Sequence, residues 1–178
     1  MSALLVLLSR HDERFLHALV VRRRTLPSRV MRSVTHIGDA WVVVALALAL
    51  SLGAVPGLER AGYEAAFVLV VSHLGVQLLK RTISRPRPRL PVGCASLIEA
   101  PDCFSFPSGH AAASLSLALP LSIALPGPFG AFLLGIAALV GVSRCYLGVH
   151  YPGDVLMGWL LAGITALVAG PAVGWMLG

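Results

Sequence analysis

AGYEAAFVLVVSHLGVQLLKRTI, residues 61–83, is apolar along most of its length and closes on the basic pair Lys80-Arg81. A hydrocarbon core about 30 Å thick takes roughly 20 residues of helix at about 1.5 Å each, so this stretch is long enough to cross. The strict alternation that a barrel strand needs is missing. In lipid, helices and closed barrels are the two spanning solutions, which leaves helix. The rest of the chain agrees. Of its 178 residues, 57% are hydrophobic and 12% charged, with a mean hydropathy of +0.83. Soluble domains average about 45–50% apolar and about 25% charged. The length fits one domain, residues 1–178.

Four more apolar segments are read around this one, at about 38–55, 108–128, 129–142 and 154–176, with Pro171 a kink point in the last. Gly and Pro punctuate the connections. The expected fold is therefore all-α, a polytopic membrane bundle of about five transmembrane helices. Residues 1–24 form an N-terminal amphipathic segment, read as an interfacial helix or else a sixth span, because five ionisable side chains at 10–14 interrupt it. Leu4, Leu5, Leu8, Phe15, Leu16, Leu19 and Val20 are expected toward lipid. The opening MSALLVLLS lacks the basic start and cleavage site of a signal peptide.

Threading the segments alternately through a bilayer puts four chain ends on one face: the end of 61–83, the start of 108–128, the end of 129–142 and the start of 154–176. Every unusual polar stretch gathers there. The net charge of +6 is better explained by anionic lipid and a bound phosphate than by nucleic acid, because few of the basic residues lie on helices that could face water. Cys94, Cys103 and Cys145 have no metal spacing of the CxxC kind. Cys94 and Cys103 share one loop and pair only if it meets an oxidising compartment. Mid-helix His73 and Gln77 are expected to hydrogen-bond across helices.

The polar stretches carry chemistry. In KRTISRPRP, residues 80–88, Lys80 offers a point charge and Arg87 a guanidinium fork, while Pro86 and Pro88 turn the chain outward. Such a pair suits a phosphate dianion; an ordinary juxtamembrane basic cluster is the bland alternative. In FPSGHAAA, Ser108 is a cap, Gly109 allows close backbone approach, and the free N–H groups of the first turn point at a ligand. His110, one residue inside, can give or take a proton. In SRCYLGVHYPGD, residues 143–154, Arg144 precedes His150 by six and Asp154 follows it by four. A carboxylate at that spacing can hold one imidazole nitrogen and leave the other as a nucleophile.

The three blocks resemble the type 2 phosphatidic acid phosphatase superfamily: Lys80 to Arg87-Pro88, then Pro107-Ser108-Gly109-His110, then Ser143-Arg144 to His150 and Asp154. The motif region 80–154 matches that pattern at every position. The resemblance implies an integral-membrane lipid phosphate phosphatase of the plasma membrane, with no metal. Lys80, Arg87 and Arg144 would bind phosphate, helped by Ser108 and the Gly109 N–H. His150 would be the nucleophile that forms a phosphohistidine, Asp154 its orienting partner, and His110 the general acid and later base. Phosphatidic acid, phosphatidylglycerol phosphate and polyprenyl mono- or diphosphates are the implied substrates. A phosphotransferase using the same phosphohistidine, and a non-catalytic anion- or lipid-binding membrane protein, are the competing readings; a haloperoxidase sharing the constellation does not suit the membrane composition. Of 14 Lys and Arg, 13 lie on the motif face and only Arg60 opposite, so the positive-inside rule leans toward a cytoplasmic site. Many members of the family place theirs on the outer face.

Overall fold

The structure is a computed structural model that describes residues 3–100 and 102–177, with side chains from residue 11 onward. Among the described residues, seven α-helices follow one another: α1 (Ala3–Val21), α2 (Thr25–Thr35), α3 (Ala40–Ser51), α4 (Glu59–Ile83), α5 (Gly109–Ala124), α6 (Gly127–Tyr146) and α7 (Pro152–Leu177). A single 3-10 turn, His36–Gly38, joins α2 to α3. Helices α4, α6 and α7 are each long and apolar enough to cross a membrane, and α2 with α3 passes as one span bent by 50°. Helix α5 is apolar but shorter, 16 residues. The protein is an all-helical integral membrane protein.

Local chemistry sets the boundaries near the motif face. Helix α4 stops where Ser84 turns left-handed, at φ 48°, its N–H closing on the Lys80 carbonyl, and Pro86 cannot resume the ladder. Ser108 precedes α5 in extended conformation, its Oγ accepting from the Ala111 N–H at 3.4 Å. Pro152 opens α7, and two residues later the Asp154 carboxylate reaches back to the Tyr151 N–H at 2.8 Å. That is the returning half of a capping box.

Helix α5 is central, packed against α3, α4, α6 and α7. Its small residues allow this: Ala111, Ala112, Ala113, Ser114 and Ser116 are all buried, as expected where backbones must approach closely without a hydrophobic drive between helices. Ser72 of α4 and Ser116 share a buried hydrogen bond of 3.1 Å. On the outside, Val70, Leu74 and Leu78 of α4 and Leu160, Ile164 and Leu167 of α7 remain exposed, as lipid-facing surfaces do.

Three expectations change. Helix α3 has only 12 residues, about 18 Å of rise, so the segment expected to span at 38–55 reaches spanning length only together with α2, whose basic sequence gave no apolar signal. Leu16 and Val20 face inward, packed with Ala111, Cys145, Tyr151 and Val155, while Phe15 is exposed. Leu4, Leu5 and Leu8 lie outside the described side chains. His73 and Gln77 bond each other at 3.1 Å on one exposed helix face. The cross-helix contact is made by serines instead.

A Cβ at Gly158 of α7 would lie 2.5 Å from the Ser108 carbonyl oxygen, whereas one at Gly163 meets nothing within 4 Å. Gly158→Ala should therefore lower the unfolding midpoint in detergent, by the about 1–3 kcal/mol typical of overpacking. Gly163→Ala should leave it near the wild-type value.

Candidate active site

The three motif blocks meet at one end of the bundle. Lys80 ends α4, Arg87 follows in the loop, His110 is the second residue of α5, Arg144 sits in the last turn of α6, and His150 precedes Asp154 of α7. Backbone bonds lock the blocks together. The Ser108 N–H donates to the Asp154 carbonyl at 2.9 Å, and the Ser105 N–H to the Arg85 carbonyl at 2.8 Å. Ser108, expected to help bind phosphate, is fully buried, and its hydroxyl serves the α5 cap. Gly109 follows it at a helix start, where N–H groups lack an intrahelical partner.

His150 is 2% exposed. Arg87 Nη1 lies 2.9 Å from its Nε2. A guanidinium only donates, so Nε2 must carry the lone pair and Nδ1 the proton. Nδ1 faces Asp154 Oδ2 at 3.5 Å. Burial above all, with the positive charges of Arg87 and Arg144 nearby, pushes His150 down to about 4, against the opposing pull of Asp154. The imidazole is neutral at neutral pH, with its free lone pair directed at Arg87.

The three cations differ in how they are compensated: Lys80 and Arg87 share a carboxylate, whereas Arg144 bonds a neutral hydroxyl. Arg144 is 1% exposed; its Nη1 donates to Thr35 Oγ1 at 2.7 Å, while Nε and Nη2 have no partner among the described residues. Buried donors left unmade are costly, more so when charged, and an anion placed here would satisfy both nitrogens. Lys80 is ion-paired with Asp102. Arg87 Nη2 reaches the other Asp102 oxygen at 2.7 Å, and Arg87 Nη1 also donates to the Val149 carbonyl at 2.8 Å. One loop carboxylate thus bridges the two cations expected to hold phosphate. Burial raises the Asp102 carboxyl, but Lys80 and Arg87 outweigh it and hold the group below its ordinary range.

Four residues that sequence reasoning did not single out belong to the site. Arg85 donates to Asp154 Oδ1 at 2.7 Å and to Asp12 Oδ2 at 2.9 Å, and stacks 4.0 Å over the Tyr151 ring. Asp12 of α1 also accepts from the Gly153 N–H at 2.9 Å. Thr35 holds Arg144. Asp39 Oδ1 meets His110 Nε2 at 2.9 Å. Arg23, just past α1, donates to the Tyr146 and Ala95 carbonyls, both at 2.7 Å, so the N-terminal segment packs over the motif face. Cys94, Cys103 and Cys145 are free thiols.

The sequence model of the PAP2 superfamily matches residues 61–175. The chain belongs to that superfamily. A decaprenylphosphoryl-5-phosphoribose phosphatase of Mycobacterium tuberculosis is 34% identical over 140 residues, 77% of this chain and 75% of that one. Phosphatidylglycerophosphatase B of Bacillus subtilis is 34% identical over 163 residues, 84% of this chain and 77% of its own. Among solved structures, Aquifex aeolicus LpxE superposes with a TM-score of 0.77 at 25% identity, covering 88% of this chain and 92% of LpxE. The family model begins after α3, so Asp12, Thr35 and Asp39 precede the residues it matches.

The lowered His150 has a measurable consequence. Between about pH 6.5 and pH 4 the unfolded chain takes up a proton that the folded imidazole refuses, so this contribution is complete above pH 6.5 and is lost as pH falls toward 4. Stability in detergent should decline over that window, and His150→Asn should flatten the decline.

Proposed function

We propose that the chain is a membrane lipid phosphatase that hydrolyses a phosphomonoester or diphosphate through a phosphohistidine on His150. The observation that carries the reading is the pairing of a buried Arg144, with two unpartnered donor nitrogens, and a neutral His150 whose Nε2 lone pair is held by a cation rather than a proton. Anion donors and a nucleophile share one site, with Arg144 and His150 both buried, which suits phosphoryl transfer to a side chain.

The residues divide the work as follows. Lys80, Arg87 and Arg144 neutralise the phosphoryl oxygens, with the Gly109 N–H and the start of α5 contributing. Arg87 leaves Nε2 for the phosphate. The Nε2 lone pair then attacks phosphorus while Asp154 holds the Nδ1 proton. The bond from phosphorus to the lipid oxygen breaks, and that oxygen takes a proton from His110. Water next attacks the phosphohistidine, His110 accepts its proton, and the P–N bond breaks to release phosphate. Acid–base help of this kind is worth about 10²–10⁴ in rate. The fixed cations supply the charge stabilisation, so no metal is needed.

A lipid tail is supported by a groove of about 1090 Å³ between α1, the end of α4 and the start of α7, with Phe15, Ile83, Phe106, Leu156, Met157 and Leu160 along it. The named relatives act on a decaprenylphosphoryl sugar phosphate and on phosphatidylglycerophosphate, which supports the same substrate class. We assign the whole chain, 1–178, to one domain in the plasma membrane, its motif face cytoplasmic on the positive-inside bias.

Detergent-purified protein in EDTA should release phosphate from phosphatidic acid, phosphatidylglycerol phosphate or a polyprenyl diphosphate. His150→Ala should lower that release by roughly 10³-fold or more, and quenched wild-type protein should carry an acid-labile, alkali-stable phosphoryl group. Undiminished release by the variant would overturn the assignment. An acceptor requirement would point instead to a phosphotransferase. Asp102→Ala, which frees Lys80 and Arg87, should tighten inhibition by orthovanadate roughly 10-fold, an effect read as a change in Ki.

A further inference from the structure

Asp39 stands at the N-cap of α3, in the extended conformation usual there (φ −63°, ψ 136°). An aspartate at that place ordinarily accepts from the N–H groups of its own first turn. This one makes no such bond. Its Oδ1 goes to His110 Nε2 at 2.9 Å and its Oδ2 to His36 Nδ1 at 2.9 Å. The carboxylate has left its local partners for a histidine 71 residues away. The preceding residue is shaped to permit it: a Cβ at Gly38 would lie 3.2 Å from the His110 carbonyl oxygen and 3.3 Å from the His110 Cβ, and against Val140. Only glycine lets the turn approach α5 this closely.

We propose that Asp39 is the positioning residue for His110, holding its ring through Nε2–H and stabilising the imidazolium that must form when His110 takes a proton from water. The proposal rests on the phosphatase reading. A carboxylate only accepts, so Asp39 fixes the proton on Nε2 and leaves the second nitrogen to exchange a proton with the substrate. The charged groups facing His110 are Asp39 from the α2–α3 junction, Arg144 from α6 and Lys80 from α4. Burial above all, and then the two cations, disfavour a protonated ring, and the carboxylate at hydrogen-bonding distance pulls the other way. His36, at the surface, steadies the second oxygen. The site then carries two histidine–aspartate pairs, His150 with Asp154 and His110 with Asp39, one for each proton-bearing task.

The test compares wild-type protein with Asp39→Asn, Asp39→Glu and His36→Gln. Turnover of phosphatidic acid is followed across pH, with orthovanadate inhibition as the measure of anion binding, the unfolding midpoint as the measure of folding, and the His110 titration read by NMR. Asp39→Asn is expected to lower kcat about 10²-fold or more and to move the alkaline limb of kcat/KM to lower pH, because a ring without its carboxylate gives up its proton sooner. The vanadate Ki and the unfolding midpoint should stay near wild type. Asp39→Glu should restore part of kcat, and His36→Gln should lose a few-fold. An unchanged kcat and pH profile in Asp39→Asn would overturn the proposal, whatever the His110 titration does. So would a loss of kcat that merely follows loss of vanadate binding or of the fold. No turnover by the wild type on any lipid phosphate would sink the phosphatase reading and this role with it, whereas wild-type turnover beside an unaffected Asp39→Asn sinks this role alone.

Discussion

A guanidinium buried at a membrane surface without a carboxylate of its own is the constraint that organises this molecule. Arg144 is all but removed from water, yet its one side-chain hydrogen bond is to a neutral hydroxyl, Thr35. Charge in such a place is tolerated when an anion completes it or when its neighbours fix it too firmly to rearrange. The surrounding architecture does the fixing. Helix α5 brings an alanine-rich face close enough for α6 and α7 to pack against it, and α2 delivers Thr35 to the last turn of α6. Loosening any of these would let water in and remove the reason for an anion to bind.

The carboxylates are distributed so as not to quench that charge. Asp154 is engaged by Arg85 and turned toward His150, Asp12 ties Arg85 and Gly153 to α1, and Asp39 is taken up by His110. Each acid is bound to a partner other than Arg144. The N-terminal segment is therefore part of the site's frame: α1, α2 and the turn before α3 supply three polar side chains, Asp12, Thr35 and Asp39, to groups that lie within residues 61–175.

What was legible in the sequence follows from how far each residue's role depends on spacing. Lys80 and Arg87 are separated by a helix end and two prolines, Ser108 and His110 by a cap, His150 and Asp154 by one helical turn. Local rules set these distances, so the motifs and the face they share could be read directly. Helix α4 was equally plain. Arg85, Asp12, Thr35 and Asp39 act through tertiary approach instead, and nothing in their neighbourhoods distinguishes them. Arg85 was one more arginine in a proline-rich run, and Asp12 one charge among five. Asp39 looked like the polar edge of a span. Helix α2 escaped because its amphipathic, basic sequence lacks the apolar run that marks a crossing, and the inward turn of Leu16 and Val20 depended on a partner surface from α6 and α7.

Asp102 changes what binding means at this site. With its carboxylate already on Lys80 and Arg87, an incoming headgroup does not fill an empty positive field but exchanges one anion for another. A phosphodiester, with a single negative charge, gains little over the carboxylate it displaces. A terminal phosphate at neutral pH carries up to two charges and three free oxygens, enough to take both cations and the open donors of Arg144 as well. On the phosphatase reading proposed above, the loop carboxylate would act as a threshold in a bilayer crowded with singly charged phosphodiesters, favouring headgroups that carry a terminal phosphate.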